Sequence, residues 1–409
     1  MAPTIFISAG EASGEHYGAL LVDALKRRLA DAGQTASFFG MGGQRMADAG
    51  LHRVVRAEDM AVMGITEVVR HLPRIYREFR RLKQAIRDQR PDVAVLIDFP
   101  DIHFKLAKEL SRLGVPVIFF VSPQLWAWKK HRIKLVQKYV DRMLVIFPFE
   151  EPFYRERGVE AEFVGHPLAE LPLPTISRQQ FAADNGLDPA RTWIGLLPGS
   201  RPKEIRDNLP EMLTAARQLV KAGNPGTYEF VLPLASTLNA AQRQQAQQLV
   251  AIHGAGLSVH LVDTPRATLL HSRSSVVASG TATVEAALIG NPFVVVYRVS
   301  PITYAVAKMV VKVPHIAMAN LIAGKRVVPE LIQNQFTASN IVSELQVLLP
   351  DGPHRQSMME GLAAIRGRLG SSGNGDGAIG RVAEITLGLL GTGLLEPAVP
   401  AVLEQAAHS

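Results

Sequence analysis

V-A-V-L-I-D-F-P-D-I-H-F-K, Val93 to Lys105, decides how this chain is read. Five apolar residues in a row, with no polar–apolar alternation, describe a strand buried on both faces. That is the habit of a parallel sheet covered by helices. The run ends abruptly in Asp98, and Asp101 follows three positions later. Desolvation penalises a charge at such a place, so the carboxylate either reaches solvent at a turn or serves something at that edge.

The pattern repeats outward. T-I-F-I-S (4–8), V-P-V-I-F-F-V (115–121) and R-M-L-V-I-F (142–147) are near-continuous apolar runs. Helix-length segments lie between them, such as 16–32, where Leu20, Leu21, Ala24, Leu25 and Leu29 recur at helical spacing. G-H-P-L-A-E-L-P-L-P-T (165–175) is proline-rich and aperiodic, as a linker would be. The strand runs then restart at W-I-G-L-L-P (193–198), Y-E-F-V-L-P (228–233), G-L-S-V-H-L (256–261), S-S-V-V-A-S (274–279) and P-F-V-V-V-Y (292–297). The expected class is α/β, with two doubly wound, Rossmann-like domains facing a cleft and ligands at the carboxyl ends of the strands.

Bulk properties agree. A chain of 409 residues exceeds one ordinary core, and the absence of cysteine removes disulfides, thiolate nucleophiles and cysteine metal sites together. The start, M-A-P-T-I-F-I-S-A-G, lacks a basic region ahead of a long apolar stretch, and no run of about 18 apolar residues suggests a membrane span. The formal charge of +7 is modest and says nothing about where charge is placed.

Four strand ends carry unusual sequence. S-A-G-E-A-S-G-E-H-Y-G (8–18) offers glycines for close backbone approach and a helix N-terminus, yet it is neither G-x-G-x-x-G nor a P-loop. In L-I-D-F-P-D, Asp101 reads as the cap of a helix beginning near Ile102. Asp98, between Ile97 and Phe99-Pro100, has the apolar surroundings that raise a carboxyl pKa and suit a general base. L-L-P-G-S-R-P-K-E-I (196–205) sets turn amides, a hydroxyl, Arg201 and Lys203 ahead of a helix, which suits a phosphate as well as a solvated basic turn. S-G-T-A-T-V-E (279–285) leads into a helix expected to start near Ala282, with Glu285 in its first turn. There Glu285 either complements the helix dipole or accepts from ribose hydroxyls while the Gly-Thr turn takes a phosphate.

Together with F-G-M-G-G (39–43), V-S-P-Q-L-W-A-W (121–128), F-V-G-H-P-L (163–168) and V-P-E-L-I-Q (328–333), these loops resemble the lipid A disaccharide synthases, inverting glycosyltransferases of the two-Rossmann-domain GT-B kind. The resemblance covers about residues 4 to 340. L-W-A-W followed by K-K-H-R-I-K (129–134) is its most distinctive part, whereas P-G-S-R and G-T-x-T-x-E are shared more widely among GT-B enzymes. It implies that UDP-2,3-diacylglucosamine donates its sugar to 2,3-diacylglucosamine 1-phosphate, with no cofactor and no metal. It also implies Asp98 as the essential carboxylate, Gly199, Ser200, Arg201, Thr281 and Glu285 as nucleotide-binding residues, and the loop of Ser13, Gly14 and Glu15 on the acceptor side. On this reading residues 1–168 form the acceptor and membrane-facing domain and 169–340 the UDP-sugar domain. Helices in 341–385 return to the first domain, and the apolar tail 386–409 has no assigned role.

Acylated substrates imply a cytoplasmic enzyme peripheral to the inner face of the inner membrane. In 63–83, Ile65, Val68, Val69, Leu72, Ile75, Tyr76, Phe79 and Leu82 repeat at helical spacing among six basic residues, as in segments that bind anionic interfaces. Val68, Val69 and Leu72 are the expected membrane-facing residues, and packing in the core is the competing reading. Pro73 argues against one unbroken helix. Nucleic acid is not an expected partner, because the clustered arginines flank an apolar stripe rather than stacking aromatics. Some members of such a family are dimers, so a homodimer is one expected state. Another GT-B enzyme such as a UDP-sugar epimerase is the alternative. His16, His103, His131 and His166 lack metal-ligand spacing and read as structural or hydrogen-bonding, while Trp126 and Trp128 suit a pocket or the core.

Overall fold

The apolar runs become strands of two separate parallel sheets. The computed structural model describes residues 2–60, 65–223, 226–235, 237–300, 304, 314–370 and 377–390, with side chains omitted at 12 and 65–72. The chain divides into two units, Met1–Pro167 with the stretch after Gly370, and Leu168–Gly370.

The first unit carries β1 (Thr4–Ala9), β2 (Ser37–Gly42), β3 (His52–Arg56), β4 (Val93–Ile97), β5 (Val117–Phe120), β6 (Arg142–Val145) and β7 (Ala161–Phe163), in the order β3-β2-β1-β4-β5-β6-β7. All neighbours are parallel. Strand order therefore reverses between β1 and β4, where Ala9 lies opposite Ile97. The second unit repeats the plan with β8 (Thr192–Leu197), β9 (Tyr228–Pro233), β10 (Val259–Val262), β11 (Ser274–Ala278), β12 (Phe293–Tyr297) and β13 (Glu330–Ile332), in the order β10-β9-β8-β11-β12-β13. Its reversal falls between β8 and β11, where Leu197 lies opposite Val277. In doubly wound sheets such switch points are where ligands bind. The strands not anticipated from sequence, β2, β3, β7 and β13, are edge or near-edge strands that are short, glycine-bearing or rich in charge.

Helices cover both faces of the first sheet. Helix Ala12–Asp31 buries Leu21, Val22 and Leu25 on one face, alongside Ala378, Val382 and Leu387 of helix Gly377–Leu389. Helices Ile65–Gln89, Pro100–Arg112 and Ile133–Tyr139 bury Leu82, Ile86, Leu106, Leu110 and Val136 on the other.

Three expectations change. Helix Ile65–Gln89 runs through Pro73 unbroken. Pro73 is exposed, so water can take the carbonyl its missing N–H leaves free. In the expected amphipathic stripe, Leu82 is fully buried and Ile75 and Phe79 pack on the core, while Tyr76 is 62% exposed. The side chains of Val68, Val69 and Leu72 lie outside the described residues. Among the described residues, the return to the first unit is made by helix Gly377–Leu389, so of the expected 341–385 only its last part crosses back. Helices Ala338–Leu348 and Pro353–Leu369 stay with the second unit, where Ile341, Leu345, Leu362, Ile365 and Leu369 are buried. Each such side chain contributes roughly 1.5–3 kcal/mol on burial, which outweighs any register read from sequence. Finally, the supposed tail does not begin at 386, because Thr386 and Leu387 are buried within the last helix. Residues 391–409 lie outside the described residues.

Candidate active site

Asp98 sits at the carboxyl end of β4, at the switch point of the first sheet. Asp98 and Phe99 both take left-handed backbone (φ 51° each), and Val121, just beyond β5, does too (φ 63°). Left-handed geometry costs non-glycine residues of order 1–3 kcal/mol each, and at Val121 the branched side chain makes it unusual. Three such residues at neighbouring strand ends mark a place the surrounding structure over-determines. The Asp98 N–H donates to Phe120 O at 2.9 Å, and His103 Nδ1 lies 2.5 Å from Asp98 O. His103 is fully buried, and burial lowers its pKa to about 4, so the ring is neutral. A carbonyl can only accept, so Nδ1 carries the proton and Nε2 accepts from Ser8 Oγ at 2.8 Å. His103 thus ties the Asp98 turn to β1, a role with no sequence signature beyond its being polar on the buried face of an amphipathic helix.

The first glycine loop packs on this turn. A methyl group at Gly10 would overlap the Phe99 ring, which only glycine avoids, and Gly14 lies against Ile97. The two loops meet because β1 and β4 are neighbouring parallel strands. The Asp98 carboxyl is pushed up to about 6, first by burial and then by the Glu11 carboxylate; among the described residues no cation pairs with it. Ser13 lies in the first turn of helix Ala12–Asp31, while Glu15 turns away to accept from the Arg45 N–H at 2.9 Å, which joins this loop to F-G-M-G-G. Asp101 is not the cap expected of it. Phe99 is the N-cap and Pro100 the first helical residue, and Asp101 pairs instead with Arg132 at 2.5 Å.

The L-W-A-W segment follows β5 at the same edge. Trp126 Nε1 donates to Glu150 Oε1 at 3.1 Å, and the Phe147 N–H donates to Glu150 Oε2 at 3.1 Å. Burial pushes the Glu150 carboxyl up to about 8. Trp126 is therefore an anchored core residue, and Trp128, two positions on, is 44% exposed.

In the second unit, the loops after β8 and β11 leave neighbouring strands. Gly199 has φ 124°, a left-handed-side value, and a side chain there would collide with Glu204. Glu204 Oε2 accepts from the Ser200 N–H (3.0 Å) and the Arg201 N–H (3.2 Å), while Arg201 Nη1 reaches Oε1 at 3.3 Å. This corrects the expectation that those two amides are free for a phosphate. They take Glu204 as the carboxylate half of a capping box for helix Pro202–Ala222; Arg201, which has no acceptor, does not return the bond. Among the described residues, the box leaves the Ser200 hydroxyl and the remaining guanidinium donors of Arg201 unengaged. Helix Thr281–Ile289 begins at Thr281, with Gly280 as N-cap, so Glu285 lies beyond the first turn and does not cap it. Thr281 and Glu285, four residues apart, share a face. Glu285 meets Arg266 Nη1 at 4.0 Å, and burial raises its pKa. Arg266, not foreseen, donates Nη2 to Pro172 O at 2.8 Å but leaves Nη1 buried without a hydrogen bond.

Two doubly wound parallel α/β units, each with elaborated switch-point loops, define the class of fold. Solved structures share it. A UDP-GlcNAc 2-epimerase from Neisseria meningitidis, bound to UDP-GlcNAc, matches with TM-score 0.61 at 15% identity over 95% of this chain and all of that one. A calicheamicin glycosyltransferase matches with TM-score 0.58 at 17% identity over 96% of this chain and 99% of that one. These likenesses establish the GT-B fold. The sequence profile of lipid-A-disaccharide synthetase matches residues 5–370. Lipid-A-disaccharide synthases of Acidobacterium capsulatum and Koribacter versatilis are 61% and 51% identical, covering 94% of this chain and 96% and 97% of theirs. That of Myxococcus xanthus is 44% identical over 96% of this chain and 98% of its own. The chain belongs to the lipid-A-disaccharide synthase family and is a glycosyltransferase. Among the described residues, no helix is long and apolar enough to cross a membrane.

Proposed function

We propose that this enzyme transfers 2,3-diacylglucosamine from UDP to the 6-hydroxyl of 2,3-diacylglucosamine 1-phosphate, releasing UDP and a β-1,6-linked disaccharide 1-phosphate. The observation that carries the mechanism is the Asp98 carboxyl, half-buried at a switch point on a strained turn, with its pKa raised to about 6. At neutral pH it is mostly ionised, yet basic enough to take a proton. Inversion is one in-line displacement. The acceptor oxygen bonds to the donor's anomeric carbon as the bond to the diphosphate breaks, the proton passes to Asp98, and the electron pair leaves with UDP. Base catalysis of this kind contributes about 10²–10⁴-fold. Ser200, Arg201 and the Gly280–Thr281 turn hold the diphosphate on the second unit, Gly199 shapes the first of these loops, and Glu285 accepts from the ribose hydroxyls. The proposal includes peripheral contact with an anionic inner-membrane surface through helix Ile65–Gln89, with Val68, Val69 and Leu72 toward the bilayer.

The test is UDP release from the donor, with and without acceptor, for wild type and Asp98→Asn in EDTA. Acceptor-dependent release that persists in the chelator and is lost in the variant supports the reading. Release without acceptor favours an epimerase-like or hydrolytic reaction, and full turnover by the variant removes Asp98 from the mechanism.

A further inference from the structure

The segment after Trp126 turns a lysine-rich surface outward, and the transfer chemistry makes no use of it. Trp128 is 44% exposed and Leu135 36% exposed, in a molecule whose other two tryptophans, Trp126 and Trp193, are 9% and 0% exposed. Lys129 takes left-handed backbone (φ 54°) and sets its ammonium 4.0 Å from the centre of the Trp128 ring. Lys130, Lys134 and Lys138 follow at four-residue intervals through the short helical turns Lys130–Arg132 and Ile133–Tyr139, all exposed, with His131 and Leu135 on the adjoining stripe. Ile133 and Val136 face the core. Like charges at that spacing repel one another along a helix, and among the described residues no carboxylate pairs with any of the three lysines. The one ion pair here, Arg132 with Asp101, fastens this segment to the helix that begins just after Asp98.

We propose that Trp128, Leu135 and the lysines at 130, 134 and 138 form a docking surface for an anionic lipid bilayer. Indole rings settle at the boundary between headgroups and acyl chains, and lysines beside them meet the negative headgroups. The charge complementarity is one-sided, and the surface begins, at Trp128 and Lys130, at the strand-end edge that carries Asp98, from which helix Ile133–Tyr139 returns toward the start of β6. Docking there holds that edge against the layer in which acylated substrates reside. The surface is built from a different stretch of the chain than helix Ile65–Gln89. The inference deepens the membrane contact of the proposed function and does not depend on the role of Asp98.

Because Trp128 is the one exposed tryptophan, its emission reports the contact. The full chain is mixed with phosphatidylcholine vesicles, or with vesicles in which part of that lipid is replaced by phosphatidylglycerol. A blue shift with the anionic vesicles alone, suppressed by high salt, is expected. Each lysine near an anionic surface contributes roughly fivefold to partition. The variant K130Q/K134Q/K138Q should therefore partition on the order of a hundredfold more weakly, while UDP release from detergent-dispersed substrates stays at the wild-type rate. Vesicle binding with unmoved tryptophan emission overturns the inference and leaves the bilayer contact elsewhere. So does equal binding to both vesicle types, unchanged partition of the triple variant, or tighter retention on a single-stranded oligonucleotide than on anionic vesicles. Absence of UDP release from detergent-dispersed substrates by wild type instead refutes the proposed reaction and leaves the vesicle results to stand on their own.

Discussion

Asp98→Asn should make the first unit more stable while it removes activity, and the size of the gain should follow pH. In the folded chain the Asp98 carboxyl sits at about 6, against 3.8 for an ordinary aspartate. A raised acid pKa means the fold disfavours the ion. The cost is absent below pH 3.8, grows as pH rises, and levels off above about 6. Linkage gives about 1.6 kcal/mol at pH 5 and about 3 kcal/mol at pH 8 for values of 3.8 unfolded and about 6 folded. Asparagine removes the charge and, like aspartate, tolerates the left-handed turn at φ 51°. The variant should therefore gain about 3 kcal/mol at pH 8 and about half as much at pH 5. Urea unfolding followed through Trp126, which is buried in the first unit, reads this transition at both pH values. Turnover measured on the same samples should fall by about 10²–10⁴. A variant no more stable than wild type at pH 8, or one with the same gain at both pH values, would refute the claim that burial holds this carboxylate in an unfavourable place.

Gly199→Ala forces a side chain into left-handed backbone and onto Glu204, at a cost of about 1–3 kcal/mol. UDP binding by calorimetry should weaken at least tenfold with the circular dichroism spectrum unchanged, and normal affinity would mean the loop is not the phosphate site. Glu285→Gln should weaken UDP binding by about 1.5–3 kcal/mol and abolish the preference for UDP over its 2′- and 3′-deoxy forms. An undiminished preference would free Glu285 from ribose recognition. Glu150 is held at about 8 by burial, against 4.5 ordinarily, so its ionisation opposes folding increasingly as pH rises from 4.5 to 8. Glu150→Gln should therefore flatten the first unit's loss of stability over that window, and parallel pH curves for variant and wild type would contradict the assignment.

By itself the sequence determined the α/β class, the two units and the strand ends where chemistry was sought. Buried parallel strands must be apolar on both faces, and V-A-V-L-I announces that directly. It also singled out Asp98, because a carboxylate has few reasons to end such a strand. Short edge strands such as Ala161–Phe163 bury too few residues to leave a pattern, and the allegiance of the last helices was misjudged because amphipathic helices do not encode which sheet they cover. Only the tertiary structure decided what each polar group faces. It paired Glu204 with the amides expected for phosphate, moved Asp101 from cap to partner of Arg132, placed Arg266 beside Glu285 and set His103 between Ser8 and the Asp98 carbonyl. Those partners lie up to 95 residues apart in the chain, and hydrogen bonds, unlike burial, depend on a particular neighbour at about 3 Å, which periodicity cannot supply.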